Sequence, residues 1–411
     1  MTVSFVLEPE QHMLKKAARQ FAHEHLVPLA AATKAEHDPL ARAQLARPVM
    51  ERAVAAGFLK GLIPQPFGGT ASSGVDASIF IEELATVNPS FVISMAGPLI
   101  ALAPVYQAGT PQQVQRFVAP FLVDSGSPVA AMAYSEPAGS ANFDAEAPAE
   151  GTRTTAVRDG DHWVINGEKI WASHLGGWDG RGPDLMVLVA RTPVGVSLIA
   201  VEREHLTRGF GVEEHYDLTG LRGCLTSRVR FTDVRVPVGN LVGQEGQGVQ
   251  LTRDAFVASG ASIAIFTVAA MRAAFGVALT FARTQRRGGA VPVIAHQAVA
   301  DVLSDAKGRI EATRLLGWRA MDAVISASPA GLELALHAKV LGSETGTAVI
   351  TDLLKVVGVS GYDLGFPLME HLADALAYPV IEGNNVGVRR RQLHTMIADM
   401  GWDPLAASGL A

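Results

Sequence analysis

The chain has 411 residues, of which 48% are hydrophobic and 18% are charged, a composition that permits sizeable buried cores and excludes wholesale disorder. At about 100–200 residues per domain, this length accommodates two or three domains. The 34 Lys and Arg residues are outnumbered by 40 Asp and Glu residues, so the chain lacks the basic surface of a nucleic-acid-binding protein, and we expect no nucleic-acid partner.

A single cysteine, Cys224, excludes an internal disulfide and a thiolate cage for a metal. The first residues are acidic where a secretory signal is basic, so we expect a cytoplasmic protein. The longest apolar stretch, residues 91–106, contains two prolines and is shorter than the roughly 20 residues of a membrane helix. We therefore expect no membrane partner.

Three regions follow one another along the chain. Residues 1–126 show helical periodicity and form a predicted N-terminal helical domain. Residues 127–240 contain short apolar runs, which predict a middle β domain with hairpin turns at Asp159-Gly160 and Asn166-Gly167. Residues 241–411 return to helical patterns, over about residues 249–283, 296–327 and 332–357, and form a predicted helical bundle. The predicted fold class is α+β, mainly α with a central β domain.

Several motifs of common enzyme chemistries are absent from the sequence. It has no His-Glu-x-x-His zinc motif, no Gly-x-Ser-x-Gly elbow, no Gly-Lys-Ser/Thr phosphate loop and no Gly-x-Gly-x-x-Gly fingerprint. The 12 histidines are scattered along the chain, so we expect no catalytic metal.

One carboxylate, Glu382, follows the apolar run at residues 377–381 and precedes a predicted helix start. Apolar surroundings raise the pKa of a carboxyl group and a helix N-terminus lowers it, so the direction of the shift stays open. From the residues alone, Glu382 is either a catalytic group or a loop acid that complements a helix dipole. Trp171, Tyr134 and Ser135 are likewise either ligand contacts or ordinary sheet residues.

Four segments, in this order, resemble signatures of the acyl-CoA dehydrogenase superfamily over essentially the whole chain. They are Ala133-Tyr134-Ser135-Glu136-Pro137, Asn166-Gly167-Glu168-Lys169-Ile170-Trp171, Phe231-Thr232-Asp233-Val234-Arg235-Val236-Pro237 and the turn Glu382-Gly383. Within the superfamily, residues 135–142, 176–179 and 387–392 resemble the nitroalkane oxidase branch more than ordinary acyl-CoA dehydrogenases.

The resemblance implies an FAD-dependent oxidoreductase that forms a homotetramer. Its expected parts are an N-terminal helical domain, a β-barrel-like middle domain and a C-terminal four-helix bundle, with the flavin between the last two. The implied cofactor contacts within the middle domain are Met132, Tyr134, Ser135, Trp171 and Ser173. The implied contacts after residue 241, some of them to the FAD of a neighbouring subunit, are Arg286, Arg287, His296, Gln297, Gly358, Gly361 and Asn384. The register does not distinguish Arg286 from Arg287, and a solvated basic turn is the alternative for both.

The resemblance places Glu382 as the base that removes a proton from a carbon next to an electron-withdrawing group. Arg389 matches an arginine of the family motif that either poises this carboxylate or forms an interhelical ion pair. Ser259 matches a serine that nitroalkane oxidase places near its flavin, although a small packing residue is the alternative.

Two departures from the family pattern order the functional alternatives. Nitroalkane oxidase has aspartate where this chain has Glu382, and misplacing a base by about 1 Å can cost on the order of 100-fold in rate. The glutamate favours α,β-dehydrogenation of an acyl thioester, with an electron-transferring flavoprotein as acceptor. Residues 255–261 lack the acid and arginine that hold CoA in acyl-CoA dehydrogenases, which favours a nitroalkane-oxidase-like reaction with O2. Further alternatives are a flavin oxygenase acting on an unusual thioester and a non-catalytic helical binding protein.

Overall fold

The computed structural model describes residues 6–146 and 148–408. Helices occupy the chain up to residue 121, a β-sheet lies between residues 130 and 242, and helices resume at residue 248. The predicted fold class is therefore confirmed.

The N-terminal region is built from helices whose starts are encoded by proline and by capping side chains. Four of them begin with proline, whose fixed φ and missing N–H suit the first helical turn. The side chains of Asp38, Asn88 and Thr110 accept hydrogen bonds from backbone N–H groups of the first turn. The helices are α1 (Pro9–Phe21), α2 (Val27–Ala35), α3 (Pro39–Gln44), α4 (Arg47–Ala55), α5 (Gly74–Ala85), α6 (Pro89–Ala108) and α7 (Pro111–Val118).

The middle region is one mixed sheet. Its main path runs β6-β7-β3-β2-β4-β5-β8, and β1 pairs with β4. The pairs β1–β4 and β2–β4 are parallel and the others are antiparallel. The strands are β1 (Ala130–Ala133), β2 (Thr155–Asp159), β3 (His162–Lys169), β4 (Leu185–Arg191), β5 (Val196–Glu202), β6 (Phe210–His215), β7 (Ser227–Pro237) and β8 (Leu241–Val242).

The hairpin predicted at Asp159-Gly160 joins β2 to β3, but the turn predicted at Asn166-Gly167 is wrong. Strand β3 continues through both residues, and its pairing with β7 shifts register between Ile165 and Gly167. A bulge of this kind accommodates an extra residue without ending the strand. Asn-Gly here marks an irregularity within a strand instead of a reversal of the chain.

An ion pair in the sheet joins two of the signature segments. Lys169 Nζ lies 2.7 Å from Glu136 Oε1, and the side chains are 0% and 4% exposed. Glu136 also accepts hydrogen bonds from the backbone N–H groups of Arg153 and Thr154, at 2.7 and 2.9 Å. Burial opposes the ionisation of Glu136, but Lys169 and these amides outweigh it and lower the pKa of Glu136. The pair fixes the chain that leaves β1 against the end of β3.

The C-terminal region packs four long or medium helices into a bundle, in which small residues allow close approach. A Cβ atom on Gly346 would lie 2.3 Å from Thr267 Cγ2, and one on Gly317 would lie 2.7 Å from Ile265 Cδ1, so these glycines set the spacing of the helices. The bundle helices are α8 (Gly248–Thr284), α9 (Gln297–Ile325), α10 (Gly331–Val357) and α11 (Leu368–Ala377), followed by α12 (Arg390–Ala398).

Among the residues that the structure describes, two helices, α6 and α8, are long and apolar enough to cross a bilayer by length and composition alone. In the folded protein, 50% of the most apolar stretch of α6 and 61% of that of α8 are buried. Helix α6 runs through both Pro98 and Pro104.

Candidate active site

Glu382 lies in the loop between α11 and α12, in a strained backbone conformation. Its φ is +51°, and that of Gly383 is +78°; a non-glycine residue enters this left-handed region at a cost of about 1–2 kcal/mol. A Cβ atom on Gly383 would lie 2.7 Å from Arg389 Nε. Glycine is therefore required where the arginine side chain passes the turn.

Arg389, which is 2% exposed, holds this turn from the side of α12. Its Nε and Nη2 donate to the backbone oxygen of Glu382, at 3.1 and 2.8 Å. Its Nη2 also donates to the backbone oxygen of Phe256 on α8, at 2.7 Å. Burial lowers the pKa of Arg389 to about 10, against the opposing effect of Glu382. Arg389 thus fixes the backbone of Glu382 to α8, and within residues 6–146 and 148–408 it forms no ion pair with the carboxylate.

The carboxylate of Glu382 faces α8. Its Oε2 is buried and has no hydrogen-bond partner among the described residues, and the same is true of Ser259 Oγ. Burial raises the pKa of Glu382, while the nearby Ser259 hydroxyl, although outside hydrogen-bond geometry, and the charges of Arg389 and Lys339 act in the opposite direction. The structure thereby settles the direction that the sequence left open, because a raised pKa brings a carboxylate towards the range that suits a general base at neutral pH.

A cleft of about 780 Å³ opens beside this loop, a size that fits a small-molecule ligand. Its apolar lining residues are Phe143, Phe256, Val257, Leu332, Leu336, Val388 and Met396. Arg253 also lines the cleft, two residues before the segment 255–261 that lacks the expected CoA anchors. Its Nη2 donates to Asp144 Oδ2 at 2.6 Å, so this guanidinium is already engaged by a carboxylate.

Tyr134 connects the sheet to the cleft. Its ring lies 5.0 Å from that of Phe143 and 5.1 Å from that of Phe256, and its hydroxyl donates to the backbone oxygen of Ser140 at 2.5 Å. Ser135 Oγ lies 3.2 Å from Ser140 Oγ. Met132 is 4% exposed within β1. Of the contacts predicted after β1, Tyr134 is thus the one that lines the cleft.

Trp171 and Ser173 lie after β3, where the chain leaves the sheet. Trp171 is 53% exposed and stacks on Tyr216 at 4.3 Å between ring centroids. Ser173 forms an isolated bridge with Thr226, and its hydroxyl oxygen accepts a hydrogen bond from the Cys224 thiol at 3.1 Å. An exposed aromatic pair offers a flat surface that a planar ring can cover.

The predicted contacts at residues 286–297 and 358–361 lie near the C-terminal end of α10, away from the Glu382 loop. Arg287 donates to the backbone oxygen of Val357 at 2.6 Å and to Ser360 Oγ at 3.0 Å, beside Gly358, whose φ is +70°. Arg286 donates to the backbone oxygen of Ala290 at 2.8 Å. Both arginines, His296 and Gln297 are exposed, whereas Gly361 is buried. This group is separated from the base by most of the length of α10.

Asn384 acts as a helix cap. Its Oδ1 accepts hydrogen bonds from the N–H groups of Val386 and Gly387, at 2.8 and 3.1 Å. The side-chain oxygen of Asn384 is therefore occupied by the backbone of the helix that follows Glu382.

A second cavity, of about 410 Å³, lies among α1, α5, α8 and α9. Its acidic residues are all held in ion pairs: Glu82 with Arg272 and Arg314, Glu83 with Arg272 and Arg19, and Glu311 with Lys307 and Arg314. Because these carboxylates are already engaged, the cavity offers no free base comparable to Glu382.

Sequence reasoning did not identify Lys339, which lies on α10 and is 0% exposed. Its Nζ donates to the backbone oxygen of Tyr378, at 2.5 Å, in the chain that leads to Glu382. Lys339 falls in the helical pattern among Leu336, Val340 and Ser343, all of them buried. A lysine on the apolar face of a predicted helix was the signal that could have revealed it.

The site leaves buried polar atoms without hydrogen-bond partners among the described residues and leaves one aromatic ring exposed, as a pocket for a planar polar cofactor does. Buried and unpartnered are Ser259 Oγ and Glu382 Oε2, together with Thr252 Oγ1 on the same helix as Ser259. With the exposed ring of Trp171, these groups fit a flavin between the sheet and the bundle.

Three family models match the chain in succession. They are the acyl-CoA dehydrogenase N-terminal domain over residues 8–124, the middle domain over residues 131–234 and the C-terminal domain over residues 246–395. The chain belongs to the acyl-CoA dehydrogenase superfamily and is an FAD-dependent oxidoreductase. The predicted superfamily, cofactor and enzyme class are confirmed.

Among its relatives are two nitroalkane oxidases that match nearly end to end. The Podospora anserina protein is 39% identical, covering 98% of this chain and 98% of the relative. The Fusarium oxysporum protein is 34% identical, covering 99% and 97%. A solved structure of nitroalkane oxidase, an active-site variant with aspartate changed to asparagine and crystallised with 1-nitrooctane, superposes with a TM-score of 0.95 at 33% identity, covering 99% of each chain. The nitroalkane oxidase branch predicted from the sequence is thus confirmed.

Proposed function

We propose that this protein is a flavin oxidase of nitroalkanes, with Glu382 as the catalytic base. The similarity to nitroalkane oxidases across 98% of the chain carries this proposal. The apolar cleft beside the loop of Glu382, whose Oε2 is buried and has no hydrogen-bond partner among the described residues, supports it. This function was the second alternative from the sequence, and the whole-chain relatives move it to first place.

Proton removal from a nitroalkane needs a base that is shielded from water until the substrate binds. A nitro group acidifies the carbon that bears it, so Glu382 Oε2 can accept a proton from that carbon and leave a resonance-stabilised anion. Bound FAD supplies the acceptor for the two electrons of the oxidation. Arg389 keeps the backbone of Glu382 in place through the Glu382 carbonyl oxygen and leaves the carboxylate free for the proton. The Ser259 hydroxyl faces the same space and can donate a hydrogen bond to the cofactor or the substrate.

The second candidate is α,β-dehydrogenation of an acyl thioester, and the identity of residue 382 favours it. The nitroalkane oxidase variant crystallised with 1-nitrooctane carries asparagine in place of an active-site aspartate, whereas the proposed base of this chain is a glutamate. Glutamate is one methylene longer than aspartate, and the resemblance implies a glutamate at this position in many acyl-CoA dehydrogenases.

We also propose that FAD is shared between neighbouring subunits of a homotetramer. Tyr134, Ser135, Trp171, Ser173 and Met132 would hold the flavin within one subunit. The exposed group around Arg286, Arg287, His296, Gln297 and Gly358 would serve a neighbour, because it lies at the far end of α10 from Glu382. Exposed apolar side chains at this end support a covered surface: Val359 is 83% exposed, Tyr362 74% and Leu364 87%.

The test is a comparison of substrates for the purified yellow protein under nitrogen. Nitroethane and 1-nitrooctane should bleach the flavin, and later admission of oxygen should restore its colour with release of hydrogen peroxide. Bleaching by butyryl-CoA alone would overturn the proposal in favour of the thioester reaction. Bleaching by butyryl-CoA together with an oxygenated product would favour the flavin oxygenase. A flavin that neither substrate class reduces would contradict both candidates.

A further inference from the structure

Lys339 is a buried cation without a carboxylate partner. The side chain lies on α10 and is 0% exposed, and among residues 6–146 and 148–408 no acidic oxygen lies within ion-pair distance of it. A buried ammonium group is costly to keep unless its N–H groups are satisfied. The groups that satisfy Lys339 therefore indicate its role.

Both acceptors of Lys339 belong to the segment that carries Glu382. Nζ donates to the backbone oxygen of Tyr378 at 2.5 Å and to Asn385 Oδ1 at 2.9 Å. These residues stand four positions before and three positions after Glu382. The N–H of Asn385 donates to the backbone oxygen of Pro379 at 2.9 Å. Lys339 thus bridges the two ends of a closed loop, and Glu382 lies in that loop.

The amide of Asn385 is oriented for this contact from its other side. Its Nδ2 donates to Ser343 Oγ at 2.9 Å and to Glu344 Oε1 at 3.2 Å. Glu344 is paired with Arg390, at 2.7 Å. With the amide nitrogen committed to α10, Oδ1 is left to face Lys339.

Arg389 and Lys339 act on the base in complementary ways. Arg389 binds the backbone oxygen of Glu382 itself, and Lys339 binds the two ends of the loop from α10. Neither forms an ion pair with the carboxylate in the part of the chain that the structure describes. Both cations therefore hold the segment in which Glu382 adopts its positive φ, while its Oε2 remains available for a proton.

We propose that Lys339 is a positioning residue for the base: it clamps the loop of residues 378–385 on α10, and its charge favours the ionised form of Glu382. The inference rests on the proposed role of Glu382. It assigns a function to a side chain that is not among the residues lining the cleft.

The charges around the pair give the sign of the electrostatic effect. Burial and the charge of Arg389 lower the pKa of Lys339 to about 7, against the opposing effects of Glu382 and Glu344. Facing Glu382 are Arg389, Lys339 and the hydroxyl of Ser259. Below about pH 7 Lys339 is charged and stabilises the Glu382 carboxylate, so its removal should raise the pKa of Glu382.

The main test is Lys339→Met, with Lys355→Met as the matched control, because Lys355 is an exposed lysine of the same helix. Anaerobic bleaching by a neutral nitroalkane should slow by at least about tenfold in Lys339→Met. The pH range over which the bleaching rate rises should move upward by about one pH unit in this variant. Bleaching by the same nitroalkane already ionised to its nitronate, which needs no base, should stay within about twofold of wild type. Equal losses with both forms, or no loss with either, would overturn the role of Lys339 in serving the base.

Amide hydrogen exchange supplies a readout that needs no substrate. Exchange of residues 378–389 should be at least about tenfold faster in Lys339→Met than in wild type or Lys355→Met. Unchanged exchange there would refute the clamp. If wild type fails to react with either nitroalkane form, the proposed function fails, and exchange still decides whether Lys339 holds the loop.

A second variant covers the case in which Lys339→Met does not fold. Asn385→Ala removes one of the two acceptors and keeps Lys339, so it should show the same selective loss with the neutral nitroalkane, to a smaller extent. An Asn385→Ala protein with wild-type rates and wild-type exchange would contradict the clamp.

Discussion

His174 is fully buried, and its environment keeps its imidazole neutral. It is 0% exposed, its φ is +58°, and neither ring nitrogen has a hydrogen-bond partner among the described residues. Its ring packs edge to face on Trp178, with 4.6 Å between centroids. Burial lowers the pKa of His174 to about 4, well below the value of about 6.5 in an unfolded chain.

Stability should therefore fall as the pH drops from about 6.5 towards 4, because the unfolded state binds the proton and the folded state resists it. At pH 5 the loss due to His174 is about 2 kcal/mol relative to neutral pH. Urea titrations at pH 7 and pH 5 should show a smaller difference for His174→Leu than for wild type. The exposed His12, changed to leucine, is the control and should keep the wild-type difference. A His174→Leu protein with the same difference as wild type would contradict this account.

At the residue scale, Glu382 could be identified from the sequence because its turn matches a family signature. The role of Arg389 was not, since the choice between poising the carboxylate and pairing with another helix depends on which oxygen the guanidinium reaches. The structure shows that it reaches the backbone oxygens of Glu382 and Phe256. Lys339 was missed because nothing near it in sequence indicates that its acceptors come from residues 378 and 385.

At the element scale, Asn166-Gly167 shows how one dipeptide serves two structures. Asn166 Oδ1 accepts a hydrogen bond from the N–H of Asp233 at 2.9 Å, and its Nδ2 donates to Asp233 Oδ1 at 3.0 Å. Gly167 adopts φ +145°, and a Cβ atom there would lie 2.6 Å from Thr154 Cα. The helix periods and most strands were predictable because they depend on local patterns, whereas this bulge depends on a partner strand more than 60 residues away.

Gly167→Ala should destabilise the middle region. The added methyl group would clash with the backbone of Thr154, and the alanine would have to adopt a left-handed φ. Together these effects should cost on the order of 1–3 kcal/mol. The melting temperature should fall by several degrees, measured by circular dichroism. Gly211→Ala in the nearby β6 is the control, because nothing lies within 4 Å of that Cβ position and its φ is not left-handed. Equal melting temperatures for the two variants would show that the bulge does not require glycine.

At the scale of the whole molecule, the site is assembled from distant parts of the chain. Tyr134 comes from the end of the sheet, Phe256 and Ser259 from α8, Lys339 from α10 and Glu382 from the loop before α12. The order of the three regions was predictable from composition and period. The convergence of these side chains was predictable only through the family resemblance, because it results from packing between helices far apart in sequence.

The central claim is that Glu382 acts as the base against the flavin, and Glu382→Gln tests it most directly. The variant keeps the shape of the side chain and removes its ability to accept a proton. It should retain FAD, as should the control Glu370→Gln, which changes an exposed acid on α11. Anaerobic bleaching by a neutral nitroalkane should slow by about 10²–10⁴-fold in Glu382→Gln and remain unchanged in the control. Wild-type bleaching in a Glu382→Gln protein with full FAD content would contradict the account.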